Sequence, residues 1–236
     1  MEKNRYDRIY ITVPALNPDD RLISLCESLL SMGVNNICIV DDGSDLSHKG
    51  IFSKLESCCT VIHHETNKGK GAALRSAMNY LKGKDVLGCV TADCDGQHRP
   101  EDIKEVADVF LKHPESLVLG FRDFDKKRIP FKSLIGNKLT KSVFRKICGI
   151  DLKDTQTGLR GIPKEFFSEL LQLEGYDRFE FETKMLMMWG TRPILEVPVK
   201  TVYENGRNDG THFRPFSDSI RIYRVLLSGQ SYGKNK

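Results

Sequence analysis

The sequence predicts an α/β fold in which a mainly parallel β-sheet is flanked by helices. Over the first 120 residues, short runs rich in β-branched side chains alternate with longer segments whose apolar residues recur at helical spacing. Strands separated by helices form βαβ units, and such units build parallel sheets. Polar clusters also follow three of the runs, and ligands of parallel sheets bind beyond the carboxyl ends of the strands.

The elements of the first half follow from these patterns in order. The run Arg-Ile-Tyr-Ile-Thr-Val at 8–13 is typical of a strand, and Leu22, Leu25 and Leu29 recur at helical spacing within the next segment. A proline and two acidic residues at 100–102 are typical of a helix start. The predicted strands are residues 8–13, 36–40, 60–62, 86–91 and 116–120, and the predicted helices are residues 20–32, 49–57, 71–81 and 100–112.

The second half is less regular but remains continuous in composition. It predicts helices around residues 134–147, 163–173 and 179–189, and the apolar run Ile-Leu-Glu-Val-Pro-Val at 194–199 predicts a strand. No linker-like stretch divides the two halves. Residues 1–210 are therefore predicted to form one domain, and residues 211–236 a basic amphipathic tail.

Composition excludes several classes of protein. The chain has 236 residues with 39% hydrophobic content, which is enough to bury a core, and it contains no repeat. No segment approaches the roughly 18 apolar residues of a membrane span, and no export signal is recognisable. Seven cysteines without a C-x-x-C motif fit neither a disulfide framework nor a structural zinc site. We expect a cytoplasmic protein.

The basic residues are concentrated in two segments. The net charge of the chain is +4, whereas residues 121–150 alone carry nine basic and two acidic side chains, and residues 200–236 carry seven and three. The remainder is therefore mildly acidic. This distribution indicates an anionic partner bound at particular places, such as a phosphate-bearing substrate or a lipid surface. No recognisable nucleic-acid-binding module accompanies the basic segments, so nucleic acid is not an expected partner.

Asp93-Cys94-Asp95 is the sharpest candidate site. It directly follows a predicted strand, and residues i and i+2 of an extended segment point to the same side, so two carboxylates can converge on one cation. Oxygen ligands of this kind suit Mg²⁺ or Mn²⁺, and Gln97 would extend the row. The alternative is that Asp and Gly here are turn residues, which is the commoner explanation for an isolated D-x-D.

Two further polar clusters have both a binding and a structural interpretation. Asp41-Asp42-Gly43-Ser44 follows the second strand, where a carboxylate would accept hydrogen bonds from a nucleoside or would simply cap a turn. Residues 67–73, Asn-Lys-Gly-Lys-Gly-Ala-Ala, precede a helix whose N-terminal amides and Lys70 would meet a diphosphate. The segment lacks the Walker pattern, and a solvated turn is its ordinary interpretation.

The remaining clusters are weaker. The basic run that begins at Arg122 suits phosphate recognition, or forms a solvated surface. The polar groups in residues 154–160 and 178–182 are consistent with turn and helix-start chemistry. The histidines at 63, 64, 98 and 212 have no spacing typical of a metal site, so they are interpreted as structural or surface residues.

Taken in order, the motifs resemble glycosyltransferase family 2. The resemblance rests on V-P-A-L-N at 13–17, I-V-D-D-G-S at 39–44, N-K-G-K-G-A-A at 67–73 and T-A-D-C-D-G-Q-H-x-P-E at 91–101. The later D-T-Q-T-G-L-R and R-F-E-F-E-T resemble its polyprenyl-phosphate branch, which includes the dolichol-phosphate mannose synthases. The resemblance implies a GT-A fold, which is Rossmann-like, and inverting transfer of a sugar from a nucleotide diphosphate to a polyprenyl phosphate.

The resemblance also implies roles for individual residues. Asp93, Asp95 and Gln97 would hold Mg²⁺ or Mn²⁺, Pro14, Leu16 and Asp41 would contact the nucleoside, and Lys70 would lie near the diphosphate. Arg122, Arg128, Ser133 and Asn137 match the acceptor-phosphate segment, and Gln156, Gly158 and Arg160 would line the sugar and acceptor side. Asp93, Asp95, Arg122 and Arg128 are the residues expected to carry catalysis. A phosphate acceptor is already anionic near neutral pH, so no general base is nominated.

Several alternatives remain open at this point. The family often has Glu where this chain has Pro18, so the contacts to the base differ and the nucleoside of the donor is either uridine or guanosine. The acceptor is alternatively a glycan or glycolipid hydroxyl, or the protein binds nucleotide sugars without turnover. The tail from residue 211 is either an amphipathic helix at the inner face of a membrane or a helix that closes over the domain. A small polytopic membrane protein is a candidate partner.

Overall fold

The protein is described here by a computed structural model that covers residues 4–122, 141–142, 144–146, 149–200 and 215–228. These residues form one seven-stranded sheet with helices on both faces. The strands are β1 (Ile9–Ala15), β2 (Ile37–Asp41), β3 (Thr60–His63), β4 (Gly88–Thr91), β5 (Leu117–Arg122), β6 (Arg160–Pro163) and β7 (Ile194–Val199). The main helices are α1 (Asp20–Ser31), α2 (Lys49–Leu55), α3 (Lys70–Lys82), α4 (Pro100–Lys112), α5 (Lys164–Leu171), α6 (Glu180–Trp189) and α7 (Pro215–Ser228).

The sheet has the strand order β3-β2-β1-β4-β6-β5-β7. β1 pairs in parallel with both β2 and β4, while β6 runs antiparallel between β4 and β5. The chain leaves β1 toward one side of the sheet and returns to its other side at β4, so a crevice opens between the carboxyl ends of these two strands. The predicted mainly parallel sheet flanked by helices is confirmed.

Strand β6 is the element that the sequence patterns did not predict. Residues 154–160 are interpreted from sequence as a polar turn, and residue 163 as the start of a helix, whereas Arg160–Pro163 pairs with β4 and the helix begins at Lys164. Four residues are too few to show alternation, and the pairing that stabilises them comes from β4 and β5. Of the predicted helix at 134–147, the structure describes residues 141–142 and 144–146, which are helical.

Two apolar layers hold the helices against the sheet. On one face, Ile9, Ile11 and Val13 of β1 pack with the buried sides of α1, α2 and α4. On the other face, a second cluster joins α3, α5, α6 and α7 around Phe181. β1 is buried along nearly all its length, as expected for a central parallel strand covered on both faces.

Helix α7 belongs to the tail predicted at residues 211–236, and it packs on the domain. Ile222 and Leu226 join the second apolar cluster, and the helix lies against α6. Its outward side exposes Ile220 and Leu227, at 53% and 58%, next to the exposed Arg224. No helix within the described ranges has the length and apolar character needed to cross a membrane.

Candidate active site

A cavity opens at the carboxyl edge of the sheet, at the crevice between β1 and β4. Its walls are the ends of β1, β2 and β4, the segment leading into α3, and the segment before α6. The lining residues are Pro14, Ala15, Leu16, Asp42, Asn67, Gly69, Lys70, Asp93, Cys94, Asp95, Arg178 and Phe179. The fold thus brings together polar groups that are up to 136 residues apart in sequence, from Asp42 to Arg178.

The Asp93 carboxylate is held from three sides. Its Oδ1 lies 2.7 Å from Lys70 Nζ, and its Oδ2 lies 3.3 Å from Nε2 of the buried His98. Gly158 packs against the same carboxylate, so closely that a Cβ at position 158 would collide with Oδ2. The hydroxyl of Thr91 donates to the Gly158 carbonyl at 2.7 Å, which fixes that approach.

Lys70 joins Asp93 to a second carboxylate, that of the buried Glu182. Its ammonium lies 2.8 Å from Glu182 Oε2, in the first turn of α6. Glu182 is 7% exposed, and its backbone carbonyl accepts a hydrogen bond of 2.7 Å from Nη1 of the fully buried Arg160. Arg160 also donates to the carbonyls of Thr155 and Thr157. Arg160, Glu182, Lys70 and Asp93 therefore form a chain of alternating charge that is mostly shielded from water.

The pKa values of Asp93 and Asp95 are shifted in opposite directions by the charges around them. Burial alone would raise the pKa of Asp93, but the charges of Lys70 and His98 outweigh it and hold that pKa well below its usual value. Burial and the nearby charge of Asp93 raise the pKa of Asp95. The pKa of Lys70 stands above its usual value, because Asp93 and Glu182 outweigh the effect of burial. Asp95 is thus the carboxylate with least compensation.

Asp42 fixes the segment that leads into α3. Its Oδ1 accepts from the Lys68 amide at 2.9 Å, and its Oδ2 from the Gly69 amide at 2.7 Å. The buried His64 lies 2.8 Å from Oδ1 and supports the carboxylate from behind. Gly69 has φ of 103°, a conformation that favours glycine, and it packs against the Asp177 carbonyl. The hydrogen bonds of Asp42 therefore help to fix the position of Lys70 at the start of α3.

Five of the residues predicted from sequence line the cavity, namely Pro14, Leu16, Lys70, Asp93 and Asp95. Two others lie beside them. Gly158 contacts Asp93, and the backbone N–H of Gln97 donates to Asp95 Oδ1 at 3.0 Å. Asp41 is engaged with the amide of Ser44 and the ring of His63, and its neighbour Asp42 lines the cavity instead.

The other predicted residues do not line the cavity or lie outside the described residues. Arg122 ends β5 and pairs with the fully buried Asp154 at 2.6 Å. The Arg160 guanidinium is buried against backbone carbonyls. Gln156 is exposed, and its backbone N–H donates to Asp154 Oδ1. Arg128, Ser133 and Asn137 fall outside the residues that the structure describes.

The sequence patterns missed several residues of the site. Arg178 and Phe179 line the cavity, His98 contacts Asp93, and Glu182 binds Lys70. Arg178, Phe179 and Glu182 lie in the R-F-E-F-E-T stretch that contributes to the family resemblance, but local pattern assigns its charged residues to a helix start. A buried ion pair across 112 residues of chain, from position 70 to position 182, leaves no local pattern that would identify it.

The donor set fits a divalent cation. Two carboxylates two residues apart face the cavity, and Asp95 carries negative charge that its surroundings leave partly uncompensated. Within the described parts of the chain, no three side chains of His, Cys, Asp or Glu come together as a preformed metal site. A cation here would accordingly take further ligands from water or from a bound phosphate group, which is the usual behaviour of Mg²⁺.

Comparison with known proteins agrees with this geometry. The family model described as glycosyl transferase family 2 matches residues 10–171, the span that carries the cavity-lining strand ends. The chain belongs to glycosyltransferase family 2. Among curated relatives, the UDP-N-acetylglucosamine–dolichyl-phosphate N-acetylglucosaminyltransferase of Methanococcus voltae is 30% identical over an alignment that covers 93% of this chain and 95% of the relative. A dolichyl-phosphate β-glucosyltransferase of Drosophila melanogaster is 26% identical over 92% of this chain and 72% of its own.

Solved structures show the same fold. Glucosyl-3-phosphoglycerate synthase of Mycobacterium tuberculosis, determined with Mn²⁺, UDP and phosphoglyceric acid, superposes with a TM-score of 0.69 at 18% identity, over 94% of this chain and 78% of that one. TarS of S. aureus, determined with UDP-GlcNAc, superposes at 0.57 with 15% identity, over 94% of this chain and 66% of that one. At these identities the likeness concerns the fold alone, and it confirms the predicted GT-A fold.

Proposed function

We propose that this family 2 glycosyltransferase transfers a sugar, with inversion, from a nucleotide diphosphate sugar to a polyprenyl phosphate, and that it requires Mg²⁺ or Mn²⁺. The observation that carries the proposal is the pair Asp93 and Asp95, side by side in a cavity at the carboxyl ends of β1 and β4. The acceptor class is supported by the relatives. The Methanococcus voltae and Drosophila melanogaster proteins align with nearly the whole of this chain, and both are named as dolichyl-phosphate enzymes.

In this proposal the donor occupies the cavity. Pro14 and Leu16 at the end of β1 contact the nucleoside, and Arg178 offers a cation to the diphosphate. Asp93 and Asp95, with Gln97 beside them, would hold the divalent cation, which supplies charge neutralisation for the departing diphosphate. Lys70 and His98 keep Asp93 ionised and fixed in position. A fixed arrangement of this kind contributes to catalysis by orienting the reacting groups.

The acceptor phosphate attacks without a dedicated base, because it is anionic near neutral pH. The Arg122 guanidinium pairs with Asp154 at the end of β5, which fixes it at the same edge of the sheet as the cavity. Arg128, Ser133 and Asn137 complete the proposed phosphate-binding segment. The outward face of α7, with Ile220, Leu227 and Arg224, is proposed to lie on the inner membrane surface, where the lipid phosphate resides.

Transfer of radiolabelled sugar tests the reaction directly. The purified protein is given a panel of UDP- and GDP-sugars with undecaprenyl phosphate or dolichyl phosphate in detergent, in the presence of Mg²⁺, Mn²⁺ or EDTA. We expect a lipid-linked product that EDTA abolishes, and opposite anomeric configurations of donor and product by NMR. A product formed only with a glycan or glycolipid hydroxyl would overturn the acceptor class, and nucleotide-sugar binding without any product would indicate a non-catalytic module.

Asp95→Asn tests the metal role separately. The variant keeps the shape of the side chain but removes the carboxylate, so transfer should fall by at least about 100-fold while the fold is retained. The matched control is Asp20→Asn, an exposed aspartate in the first turn of α1. Full activity of Asp95→Asn would contradict the proposed cation site.

A further inference from the structure

We propose that Glu182 is a positioning residue that sets how strongly Asp93 binds the catalytic cation, and that it acts through Lys70. The inference rests on the proposed cation site at Asp93 and Asp95. Glu182 does not line the cavity, and it was given no role within the R-F-E-F-E-T motif that contains it. Its role follows from the contacts that connect it to Asp93.

The connection is a shared ammonium group. Lys70 Nζ lies 2.7 Å from Asp93 Oδ1 and 2.8 Å from Glu182 Oε2, so two carboxylates compete for one positive charge. The Lys70 side chain is 13% exposed and the Glu182 side chain 9%, and screening by water is weak at such a place. Lys70 is also held in position, because it begins α3 directly after the Asp42-bound amide of Gly69.

Glu182 is itself held by the second half of the chain. Arg160 donates to its backbone carbonyl at 2.7 Å, and the Arg160 Nε lies 3.8 Å from Oε1. Among the described residues, Oε1 is buried without a hydrogen-bond partner, and Lys70 makes the short contact of this carboxylate, to Oε2. A buried carboxylate with an unsatisfied oxygen costs stability, which indicates that its charge has a use at this place.

The effect on Asp93 follows from charge balance. While Glu182 is present, the positive charge of Lys70 is divided between two carboxylates, and Asp93 keeps negative charge to offer a cation. Without the charge of Glu182, the whole positive charge of Lys70 acts on Asp93. Lys70 then repels a divalent cation that would bind to the same carboxylate. Glu182 therefore strengthens the cation site from behind, without contact to the cation or the donor.

The direct test is the affinity for Mn²⁺, measured by calorimetry or by the EPR signal of free Mn²⁺, with UDP present and no acceptor. We expect Glu182→Gln, which keeps the shape and the hydrogen bond to Lys70 but loses the charge, to weaken Mn²⁺ binding about tenfold. Glu182→Asp, which retains the charge, should recover most of the affinity. The matched control is Asp177→Asn in the same segment, since Asp177 pairs with Arg75 and not with Lys70.

A double variant separates the electrostatic role from a structural one. In Lys70→Met with Glu182→Gln, Asp93 has neither the ammonium nor the competing carboxylate near it, so Mn²⁺ should bind at least as tightly as to the wild type. A cycle of the two single variants and the double variant should show that Glu182→Gln costs less affinity once Lys70 is absent, because no ammonium is then left to oppose the cation. In the double variant Arg160 keeps its hydrogen bonds to backbone carbonyls, and the melting temperature shows whether the fold is retained.

The outcomes distinguish this inference from the proposed function. If the wild type binds no Mn²⁺ with UDP, the proposed cation site itself is wrong. If the wild type binds and Glu182→Gln binds equally well, only the inference on Glu182 is overturned. Loss of affinity in the double variant, with an unchanged melting temperature, would likewise overturn it, because Glu182 and Lys70 would then serve only to shape the site.

Discussion

The two walls of the cavity are built from different parts of the chain and contribute different chemistry. The wall from residues 14–95 presents its functional groups directly after strands β1, β2 and β4, and it carries the carboxylates Asp42, Asp93 and Asp95. The second wall is formed by residues 154–182: Arg178 and Phe179 line the cavity, while Gly158 and the buried Glu182 lie behind them, in contact with Asp93 and Lys70. One wall offers ligands, and the other sets their charge and position.

This difference shows why a site is more than its ligands. Asp93 has its low pKa because Lys70 and His98 offset its burial, and Lys70 keeps its place partly through Glu182 of the other wall. The second wall also decides how much room the carboxylate has, through Gly158. Changes in the second wall should therefore disturb the chemistry of the first, although none of them alters a residue of the D-x-D motif.

Among changes to the second wall, the largest effect is expected at Gly158. In Gly158→Ala the new Cβ would collide with the Asp93 carboxylate, so that carboxylate must move. A displacement of the order of 1 Å at a reacting centre costs about 100-fold in rate, and we expect kcat/KM for transfer to fall by that amount. Gly50→Ala is the matched control, since a Cβ at position 50 meets nothing within 4 Å. Normal transfer by Gly158→Ala would contradict the close approach that separates the two walls.

The two aspartates of the first wall should differ in their effect on stability. Without metal, Asp93→Asn should lower the free energy of unfolding by roughly 2–3 kcal/mol, because it breaks the ion pair with Lys70. The loss is smaller than the roughly 3–5 kcal/mol of a fully buried pair, since the Asp93 side chain is 30% exposed. Asp95→Asn should raise the free energy of unfolding instead, since the Asp95 carboxylate is poorly compensated. Thermal melts at neutral pH measure both. Equal destabilisation by the two variants would show that Lys70 and His98 do not distinguish the two aspartates.

The pH dependence of these melts has a definite sign. Asp93 has a lowered pKa in the folded protein, so its contribution to stability is present above the usual carboxyl pKa and is lost as the pH falls through the lowered value. Asp95 has a raised pKa, so the cost of its charge is present at neutral pH and disappears as the pH falls through the raised value. The advantage of Asp95→Asn over the wild type should thus shrink on acidification.

A smaller effect is expected from the cation of the second wall. Arg178→Gln removes a charged donor from the cavity and should weaken UDP binding about tenfold, the contribution typical of one charge-assisted hydrogen bond. Uridine carries no diphosphate, and its affinity should change little. Calorimetry with the two ligands measures the difference, with Arg192→Gln as a control at an exposed arginine that pairs with Glu169. An equal loss for uridine would place Arg178 at the nucleoside instead.

The smallest effect is expected at α7, which packs on the second half of the chain. Arg224→Gln removes one exposed basic residue from its outward face and should lower binding to anionic vesicles by about 1 kcal/mol, or about fivefold. Lys112→Gln at the end of α4, on the opposite layer of helices, should leave vesicle binding unchanged. Sedimentation with vesicles that contain phosphatidylglycerol measures both. Equal losses would show that binding depends on net charge and not on α7.

Sequence and structure agree most closely where neighbouring residues carry the information. The predicted helix at 100–112 and the strand at 194–199 match the structure residue for residue, because helical spacing, the Pro100 start and the apolar run are local signals. Strand β6 was missed because its four residues become a strand only by pairing with β4 and β5. Within the candidate site, Asp93 and Asp95 were predicted, whereas Glu182 was assigned to a helix start.

The sequence alone determined the fold class, the family resemblance and the carboxylates that follow β4, because each of these depends on the order of residues along a short stretch of chain. Only the tertiary structure decided which charges compensate one another. It showed that Lys70 is shared between Asp93 and Glu182, that Asp42 and not Asp41 lines the cavity, and that Arg160 holds backbone carbonyls. The reason is physical: the interaction of two charges depends on their separation and burial in space, and distance along the chain does not fix either.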